Sequence, residues 1–389
     1  MLDLTKLTKA MHGISQHLTL EATASRQRLE LAQQLLVRAH AQQAELVQRQ
    51  EKWRDRLLFA AACPVEPLNT SIDLPIAPDV HTVIATDGSQ IAPNHHEIAY
   101  CYLLNIGRVL LYYGQNRQPL LDSLPEVFYR PEDLYISRQW GIRAEEWMGY
   151  RRTVSEATVL AELGTALQNP APTLAMVDGS LIYWFLEQLP IEARDRILPP
   201  ILDAWSQLRD AGIPLLGYLS ASRSSESLNF LRLEACPHPA PDCMTHCANQ
   251  VEMPCQVCDP LRDTALWMQL QPGQRSALWQ SSARIIDLYG PHKIYFCYVH
   301  VGTEIARIEI PAWVAENSTL LNQSLALILA QVQKGYGYPV ALAEAHNQAV
   351  VRGGDRASFF ALLEQQMIKA GLRNVGTSYK EARKRGSIA

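Results

Sequence analysis

The chain has 389 residues, of which 48% are hydrophobic, so it is long enough to fill the core of a large α/β domain with extensions. Its 35 basic and 39 acidic residues give a net charge of −4, which argues against a broadly basic surface for nucleic acids but leaves room for a local basic lining. No apolar run approaches the ~20 residues that span a bilayer, and the N-terminus lacks the apolar segment of a secretory signal, so we expect a cytoplasmic protein.

The first 62 residues are predicted to form a helical N-terminal extension. This block contains a single Gly and no Pro, which favours two long helical segments. The second segment, Gln42–Ala62, is amphipathic, with Trp53, Leu57 and Leu58 on its apolar side. We expect that side to pack on the protein core or on a second copy of the chain; the alternative is an arm that contacts DNA.

Two apolar runs, Val83–Ser89 and Leu174–Ser180, end in the same tripeptide, Asp-Gly-Ser. The length and the β-branched content of each run predict a buried strand. Glycine admits backbone angles that other residues resist, so we expect each strand to end there, with Asp87 and Asp178 at the two C-terminal tips. Ligands of open α/β sheets bind outside these ends, where paired carboxylates suit divalent metal ions. The alternative is that Asp-Gly-Ser serves only as a turn.

Three segments are predicted between the two aspartates. Glu97–Tyr113 reads as two strands joined near Gly107, residues 115–140 as a less ordered insertion, and residues 143–168 as a helix.

A further strand is predicted to begin at Gly212 and to end in a Ser-rich turn at Arg223. The guanidinium of Arg223 suits a DNA backbone phosphate, because Arg grips phosphate oxygens with a fork of donors. The same turn serves equally well as a cap for the following helix.

Five of the eight cysteines lie in a proline-containing insert, at about residues 236–258. In a long chain without a secretory signal, such a cluster favours metal binding over disulfides. The thiols suit structural zinc or an iron–sulfur cluster, since hydrolytic metals prefer oxygen ligands. A second Cys-x-x-Cys is missing, so a reduced insert and redox-sensitive thiols are alternatives. The predicted ligands of this second metal are Cys236, Cys243, Cys247, Cys255 and Cys258.

The C-terminal part is predicted to hold a hairpin, Lys293–Val301 with Ala306–Pro311, and later a helix that begins after Tyr338 and Pro339. His346 falls about two turns inside this helix. A histidine on a mostly apolar helix is commonly a core residue, so a ligand role needs further support. The chain ends in a basic tail, Lys380–Arg385, which is either solvated or in contact with DNA phosphates.

Four short motifs, in this order, resemble the NurA family of nucleases. Each motif is weak alone, but the set is fairly specific and spans roughly residues 80 to 356. The motifs are Thr86–Ser89, Val177–Leu181, Ala306–Trp313, and Tyr338-Pro339 followed by Ala345-His346.

The resemblance implies an α/β fold with an RNase H-like mixed sheet and flanking helices. We therefore expect a nuclease domain over residues 63–389 that carries the Cys-rich insert, after the helical extension.

The resemblance also implies a manganese-dependent deoxyribonuclease, with magnesium as the alternative metal. Such an enzyme acts as a 5′-to-3′ exonuclease and single-strand endonuclease on DNA ends, in double-strand break repair. Its expected form is a homodimer docked on a HerA-type hexameric ATPase. A non-catalytic module that binds DNA or the ATPase is an alternative. A transposase or Holliday-junction resolvase on the same fold would predict a more basic chain.

The family pattern places a functional glutamate on the predicted helix before Asp178, and we assign it to Glu156, with Glu162 as the alternative. In the implied mechanism Asp87 and Asp178 bind two divalent ions with the help of Glu156; one ion lowers the pKa of an attacking water and the other stabilises the leaving 3′-oxygen.

The resemblance leaves two roles open for each of the remaining catalytic candidates. His346 either ligates metal or moves a proton. Tyr338 either donates a hydrogen bond or stacks on the terminal nucleotide.

Overall fold

A computed structural model of the chain describes residues 4–93, 99–168 and 171–371, so the predicted basic tail lies outside the described residues. The helices are α1 Leu4–Ala41, α2 Gln43–Trp53, α3 Pro131–Tyr135, α4 Ala144–Thr165, α5 Ile191–Arg194, α6 Leu198–Asp210, α7 Glu226–Ala235, α8 Cys243–His246, α9 Ala312–Ala315, α10 Ser318–Lys334, α11 Val340–Ala349 and α12 Gly353–Lys369. The strands are β1 Cys63–Pro64, β2 Ser71–Asp73, β3 His81–Ile91, β4 Tyr102–Tyr113, β5 Leu120–Phe128, β6 Thr173–Asp178, β7 Leu215–Leu219, β8 Gln274–Ser276, β9 Trp279–Gln280, β10 Ile294–His300 and β11 Ile305–Pro311. No helix of the described part is both long and apolar enough to cross a membrane.

The chain divides into two compact units, each built from separated stretches. The first unit comprises the described residues of Met1–Pro75, Gly179–Trp184 and Gly217–Ser318. The second unit comprises those of Ile76–Asp178, Phe185–Leu216 and Thr319–Ala389. The predicted domain boundary after residue 62 stays a prediction.

The second unit contains a mixed sheet in the order β6-β3-β4-β5. Strand β3 runs parallel to β6 and antiparallel to β4, and β4 pairs antiparallel with β5. Helices α4 and α11 both pack against β3 and β4, and α6 packs against α4. The predicted α/β class with a mixed sheet and flanking helices is thus confirmed, whereas the RNase H-like assignment stays a prediction.

The two Asp-Gly-Ser segments behave differently. Strand β6 ends at Asp178, as predicted, and Gly179 follows with φ +117°. The prediction is wrong for Asp87, because β3 continues to Ile91 and pairs with β4 along that length. Gly88 serves a close approach instead of a turn: a Cβ there would lie 2.5 Å from Oε1 of Glu156.

The prediction of two strands joined near Gly107 is also wrong. Strand β4 runs without a break from Tyr102 to Tyr113, and Gly107 lies opposite Asp87 in the middle of it. A Cβ at Gly107 would overlap the carbonyl oxygen of Ala345 in α11 and lie 2.6 Å from the backbone nitrogen of Ala349. The glycine is required by the helix that lies on the strand.

The segment 115–140, predicted as less ordered, contains β5, α3 and a 3-10 helix at Ile136–Trp140. Few residues of β5 are buried, so the strand carries little of the apolar pattern by which strands are recognised. It is held by its ladder with β4 and by a two-fold contact of Arg108 with Asp122, at 2.8 and 2.7 Å.

The helical predictions fit the structure with one exception. Helices α1 and α2 confirm two N-terminal segments, and α4 confirms the helix before Asp178. The second segment ends earlier than predicted, since α2 stops at Trp53. The predicted apolar side is also wrong in part, because Leu57 is buried while Leu58 is 45% exposed.

The first unit has an antiparallel sheet in which β10 pairs with β9 and β11, and β11 pairs with Gly217–Leu219 of β7. The β10–β11 pair confirms the predicted hairpin, and β7 confirms the strand before Arg223. The core of this unit is rich in large rings, among them Trp267, Trp279 and Phe296, and includes buried residues of α1 and α2.

Candidate active site

Three acidic side chains of the second unit come together at the sheet. Asp87 lies on β3, Asp178 ends the neighbouring strand β6, and the pair that precedes them in the parallel ladder is Thr86 with Val177. Glu156 comes from α4, whose position is fixed in part by a hydrogen bond of 3.0 Å from the hydroxyl of Thr86 to the Glu156 carbonyl. Local strand pairing and one helix contact therefore assemble the predicted acids.

The Glu156 carboxyl lies in an unfavourable place for a charge. Its side chain is 21% exposed, and burial raises its pKa from the ordinary 4.5 to about 7, with further raising by the charges of Asp87 and Asp178. Two contacts oppose the rise: Nε of Arg152 at 3.2 Å and the backbone N–H of Gly88. This shift is typical of acids gathered for chemistry.

The other two acids each have a partner from the segment around α11. Nδ1 of His346 lies 2.8 Å from Oδ2 of Asp87, while the backbone N–H of Gly88 donates to Oδ1 at 2.8 Å. The pKa of Asp178 is raised, by desolvation first and the charge of Asp87 next, although the residue is exposed. A hydrogen bond from Tyr338 and the nearby His346 moderate that rise.

Helix α11 is held against the sheet at its C-terminal end. Asn105 of β4 donates to the Ala349 carbonyl at 2.8 Å, and the hydroxyl of Ser89 donates to the same oxygen. Helix ends leave such carbonyls without partners inside the helix, so these side chains satisfy one of them. This contact keeps His346, one turn earlier, at the acid site.

The donor set fits a hard divalent cation. Carboxylate oxygens are the ligands that magnesium and manganese prefer, and a cation would offset the mutual repulsion of the three acids. No group of three or more His, Cys, Asp or Glu side chains within the described ranges is set in a geometry that holds a metal ion. The acids instead contact Arg152, His346 and Tyr338, so metal binding requires an exchange of those contacts.

The structure separates the two glutamate candidates. Glu156 reaches the two aspartates, whereas Glu162 is exposed and its charge is felt by Arg108 of β4. Arg223 is an exposed residue of the first unit, in the turn after β7, and its contact with DNA stays a prediction.

The Cys-rich insert belongs to the first unit, and all eight cysteines of the chain carry free thiols. A cavity of about 10 Å³ is lined by four of the five predicted ligands and by both histidines of the insert. The fifth, Cys258, does not line this cavity; it packs in the same hydrophobic core as Cys243 and Cys247, and burial raises its pKa to about 11. The cysteines and histidines that line the cavity are Cys236, Cys243, Cys247, Cys255, His238 and His246.

The motif Ala306–Trp313 contains a buried ion-pair network that the sequence alone did not predict. Arg307 is buried and contacts Glu226 at 2.6 Å and Glu309 at 2.8 Å. The other oxygen of Glu309 accepts hydrogen bonds of 2.8 Å from the Ser180 hydroxyl and the Leu181 backbone N–H. Charged residues at alternate positions of an otherwise apolar strand are the signal that predicts such a buried network.

The raised pKa of Glu156 predicts a pH-dependent stability difference. The favourable contribution of a group with a raised folded pKa is complete below its ordinary pKa of 4.5 and is lost as the pH rises through about 7. We expect Glu156→Gln, which removes the charge, to become more stable relative to the native chain between pH 5 and pH 8, by up to about 3 kcal/mol. Thermal unfolding in EDTA measures this.

The matched control is Glu162→Gln, which changes an exposed glutamate of the same helix. Its stability difference from the native chain should stay flat over the same pH range. An equally flat difference for Glu156→Gln would contradict the unfavourable charge.

Comparison with known proteins covers stretches of both units. The crystal structure of the NurA nuclease from Sulfolobus solfataricus is similar at 13% sequence identity and a TM-score of 0.47, over 77% of this chain and 88% of that chain. Curated proteins give no match. The family model of the NurA domain matches residues 81–351, which is more than half of the chain and includes every acid of the site. The chain therefore belongs to the NurA family.

Proposed function

We propose that the protein is a metal-dependent deoxyribonuclease. The observation that carries this proposal is the meeting of Asp87, Asp178 and Glu156 at one sheet position, with His346 hydrogen-bonded to Asp87. Metal-dependent phosphodiester hydrolysis uses such acids, because the divalent cations that offset its developing negative charge are held by carboxylates.

The three carboxylates would hold manganese, or magnesium as the alternative, which supplies a water of lowered pKa for the attack and positive charge at the leaving 3′-oxygen. His346 orients Asp87 through Nδ1, and its 64% exposed ring can exchange a proton with solvent. Tyr338 orients Asp178 through its hydrogen bond. Arg152 contacts Glu156 at 3.2 Å, and its guanidinium would be available for a phosphate if a cation balanced that carboxylate instead.

Family membership supports DNA ends and single strands as the substrate. We propose 5′-to-3′ exonuclease and single-strand endonuclease action in DNA-end processing and double-strand break repair, in the cytoplasm. The alternative, a non-catalytic module that binds DNA or an ATPase, retains the fold without the chemistry.

The first test removes one charge at a time. Asp87→Asn and Asp178→Asn should each lower manganese-dependent cleavage of labelled single- and double-stranded DNA by more than about 100-fold, since a lost cation removes several kcal/mol of transition-state stabilisation. Glu162→Gln is the control and should keep native activity. Substantial cleavage by either folded aspartate variant would remove this mechanism.

The native chain decides between the two functional classes in the same assay. Cleavage in manganese or magnesium that stops in EDTA supports the nuclease. DNA binding without cleavage in either metal would favour the non-catalytic module.

We also propose that the insert binds one structural zinc ion through Cys236, Cys243, Cys247 and Cys255. Arg232 supports this assignment, because it is 8% exposed, lines the same cavity and places Nε 3.4 Å from the sulfur of Cys255. A buried cation needs a nearby negative charge, and a metal-bound thiolate provides one. The small cavity favours a single ion over an iron–sulfur cluster.

Elemental analysis of the anaerobically purified chain tests the insert. The native chain and Cys258→Ser should each contain about one zinc, whereas Cys255→Ser should contain much less. Iron with visible absorption would assign a cluster to the same thiols. A native chain that holds neither metal would leave the thiols as a reduced insert.

We further propose a homodimer that works with a HerA-type hexameric ATPase. The N-terminal half of α1 carries an exposed apolar stripe at the three-and-four spacing of a coiled-coil seam. The C-terminal half of the same helix is covered, since Ala32, Leu35 and Ala39 are buried in the core of the first unit. A second copy of α1 is the partner that a heptad stripe fits. The stripe consists of Leu4, Leu7, Met11, Ile14 and Leu18, which are 42 to 65% exposed.

Light scattering tests this surface. Ile14→Asp should convert a dimer into a monomer at micromolar concentration, because it places a charge in the seam. Leu20→Asp, at a residue equally on α1 and 72% exposed but outside the stripe, should leave the dimer intact. A native monomer would contradict the dimer.

Pull-down with the HerA-like ATPase of the same organism tests the second partner, and absence of binding would leave a free-standing nuclease.

A further inference from the structure

Tyr336 is the most conspicuous side chain of the turn between α10 and α11. It is 97% exposed and has φ +55°, a left-handed backbone conformation that residues other than Gly, Asn and Asp rarely adopt. A large apolar ring in full contact with water and on a disfavoured backbone contributes nothing to the stability of the fold. This combination points to a role outside folding.

The turn fixes where the ring is presented. Backbone N–H groups of Gly335, Tyr336 and Gly337 donate to carbonyls of α10 at 3.0, 3.3 and 3.0 Å, so the left-handed residue completes the end of that helix. Gly335 cannot carry a side chain, because its Cβ would overlap the carbonyl oxygen of Tyr338. Glycine is the usual residue at the left-handed position, yet glycines here flank it and a tyrosine occupies it.

The turn that carries Tyr336 leads directly into a residue of the acid site of the second unit. Tyr338, two residues later, hydrogen-bonds to Asp178. Consecutive Cα atoms are ~3.8 Å apart, so the Cα atoms of Tyr336 and Tyr338 are at most roughly 7.6 Å from each other. A tyrosine side chain is long enough to span, from that distance, the gap to a nucleotide next to the one whose phosphate would contact the acids.

We propose that Tyr336 is a stacking platform for a base that flanks the scissile phosphate of single-stranded DNA. The inference rests on the proposed nuclease function and adds a substrate-binding residue to it. Every base offers a π-face, so one rigid, solvent-exposed ring binds a single strand without regard to sequence. The strained turn holds the ring in place before the DNA arrives, which reduces the entropy lost on binding.

Three variants separate the ring from the strain. Tyr336→Phe keeps the ring and the strained backbone, and should keep native stability and activity. Tyr336→Asn and Tyr336→Gly remove the ring and relieve the backbone, so each should raise Tm by roughly 1 to 3 °C. Both should lower kcat/KM on single-stranded DNA about tenfold, mostly through a higher KM, because stacking binds ground state and transition state alike.

A substrate change completes the test. Abasic sites are placed one at a time along the oligonucleotide, and at one position the native chain should lose about tenfold in kcat/KM. Tyr336→Asn should be nearly insensitive to the missing base at that position, because ring and base act as a pair. Tyr336→Phe should respond as the native chain does.

The outcomes are distinct from those of the nuclease test. If the native chain cleaves DNA and Tyr336→Asn equals it on every substrate, the stacking platform is overturned while the nuclease stands. If the variant loses activity but still responds to each abasic site as the native chain does, the ring acts through something other than a base and the proposal also fails. If the native chain neither binds nor cleaves DNA, both proposals fall together.

Discussion

The close approach of α11 to β4 is the constraint on which the candidate active site depends. Gly107 lets the helix backbone lie directly on the strand, and any side chain there would meet Ala345 or Ala349. The strand residue opposite Gly107 is Asp87, so the same approach sets His346 of the helix against that carboxylate. Polar contacts to the C-terminal end of α11 then hold the helix in place. The space left by the missing Cβ of Gly107 thus allows the hydrogen bond between His346 and Asp87.

Repulsion among the three acids lowers the stability of the fold at the candidate active site. Three acids share a small volume, and Arg152, the Gly88 backbone and His346 contact them there. The raised pKa of Glu156 means that neutral pH is unfavourable for the site without a cation. A cation bound by these carboxylates would offset their mutual repulsion, so the charge pattern that costs stability is the one that favours a cation. Tyr336 also carries an unfavourable feature, its left-handed backbone conformation.

Sequence patterns predicted which residues come together at the site better than they predicted the backbone there. The acids Asp87 and Asp178 follow from apolar strands of the right length, and the helix with His346 follows from its start signal at Pro339. Both errors at the centre concern glycines. Local propensity interprets Gly88 and Gly107 as ends of strands, whereas each is present because another element lies against it. Such an approach is a tertiary contact. A single sequence does not reveal that contact, so its local pattern favours a turn at each glycine. Strand β5 was not predicted for a related reason. It has few buried residues, so its sequence lacks the alternation of apolar and polar residues that indicates a strand.

The buried charges of the first unit are explained by specificity better than by stability. Replacing a buried ion pair with well-packed apolar residues is often neutral or stabilising, so the contacts of Arg307 with Glu226 and Glu309 are weak evidence for a more stable fold. Apolar residues, however, cannot accept the two hydrogen bonds that Glu309 takes from Ser180 and Leu181. These residues follow Asp178 and Gly179 directly in the chain. The Ala306–Trp313 motif thus contains no residue of the acid site, but it fixes the segment that comes immediately after one of the acids.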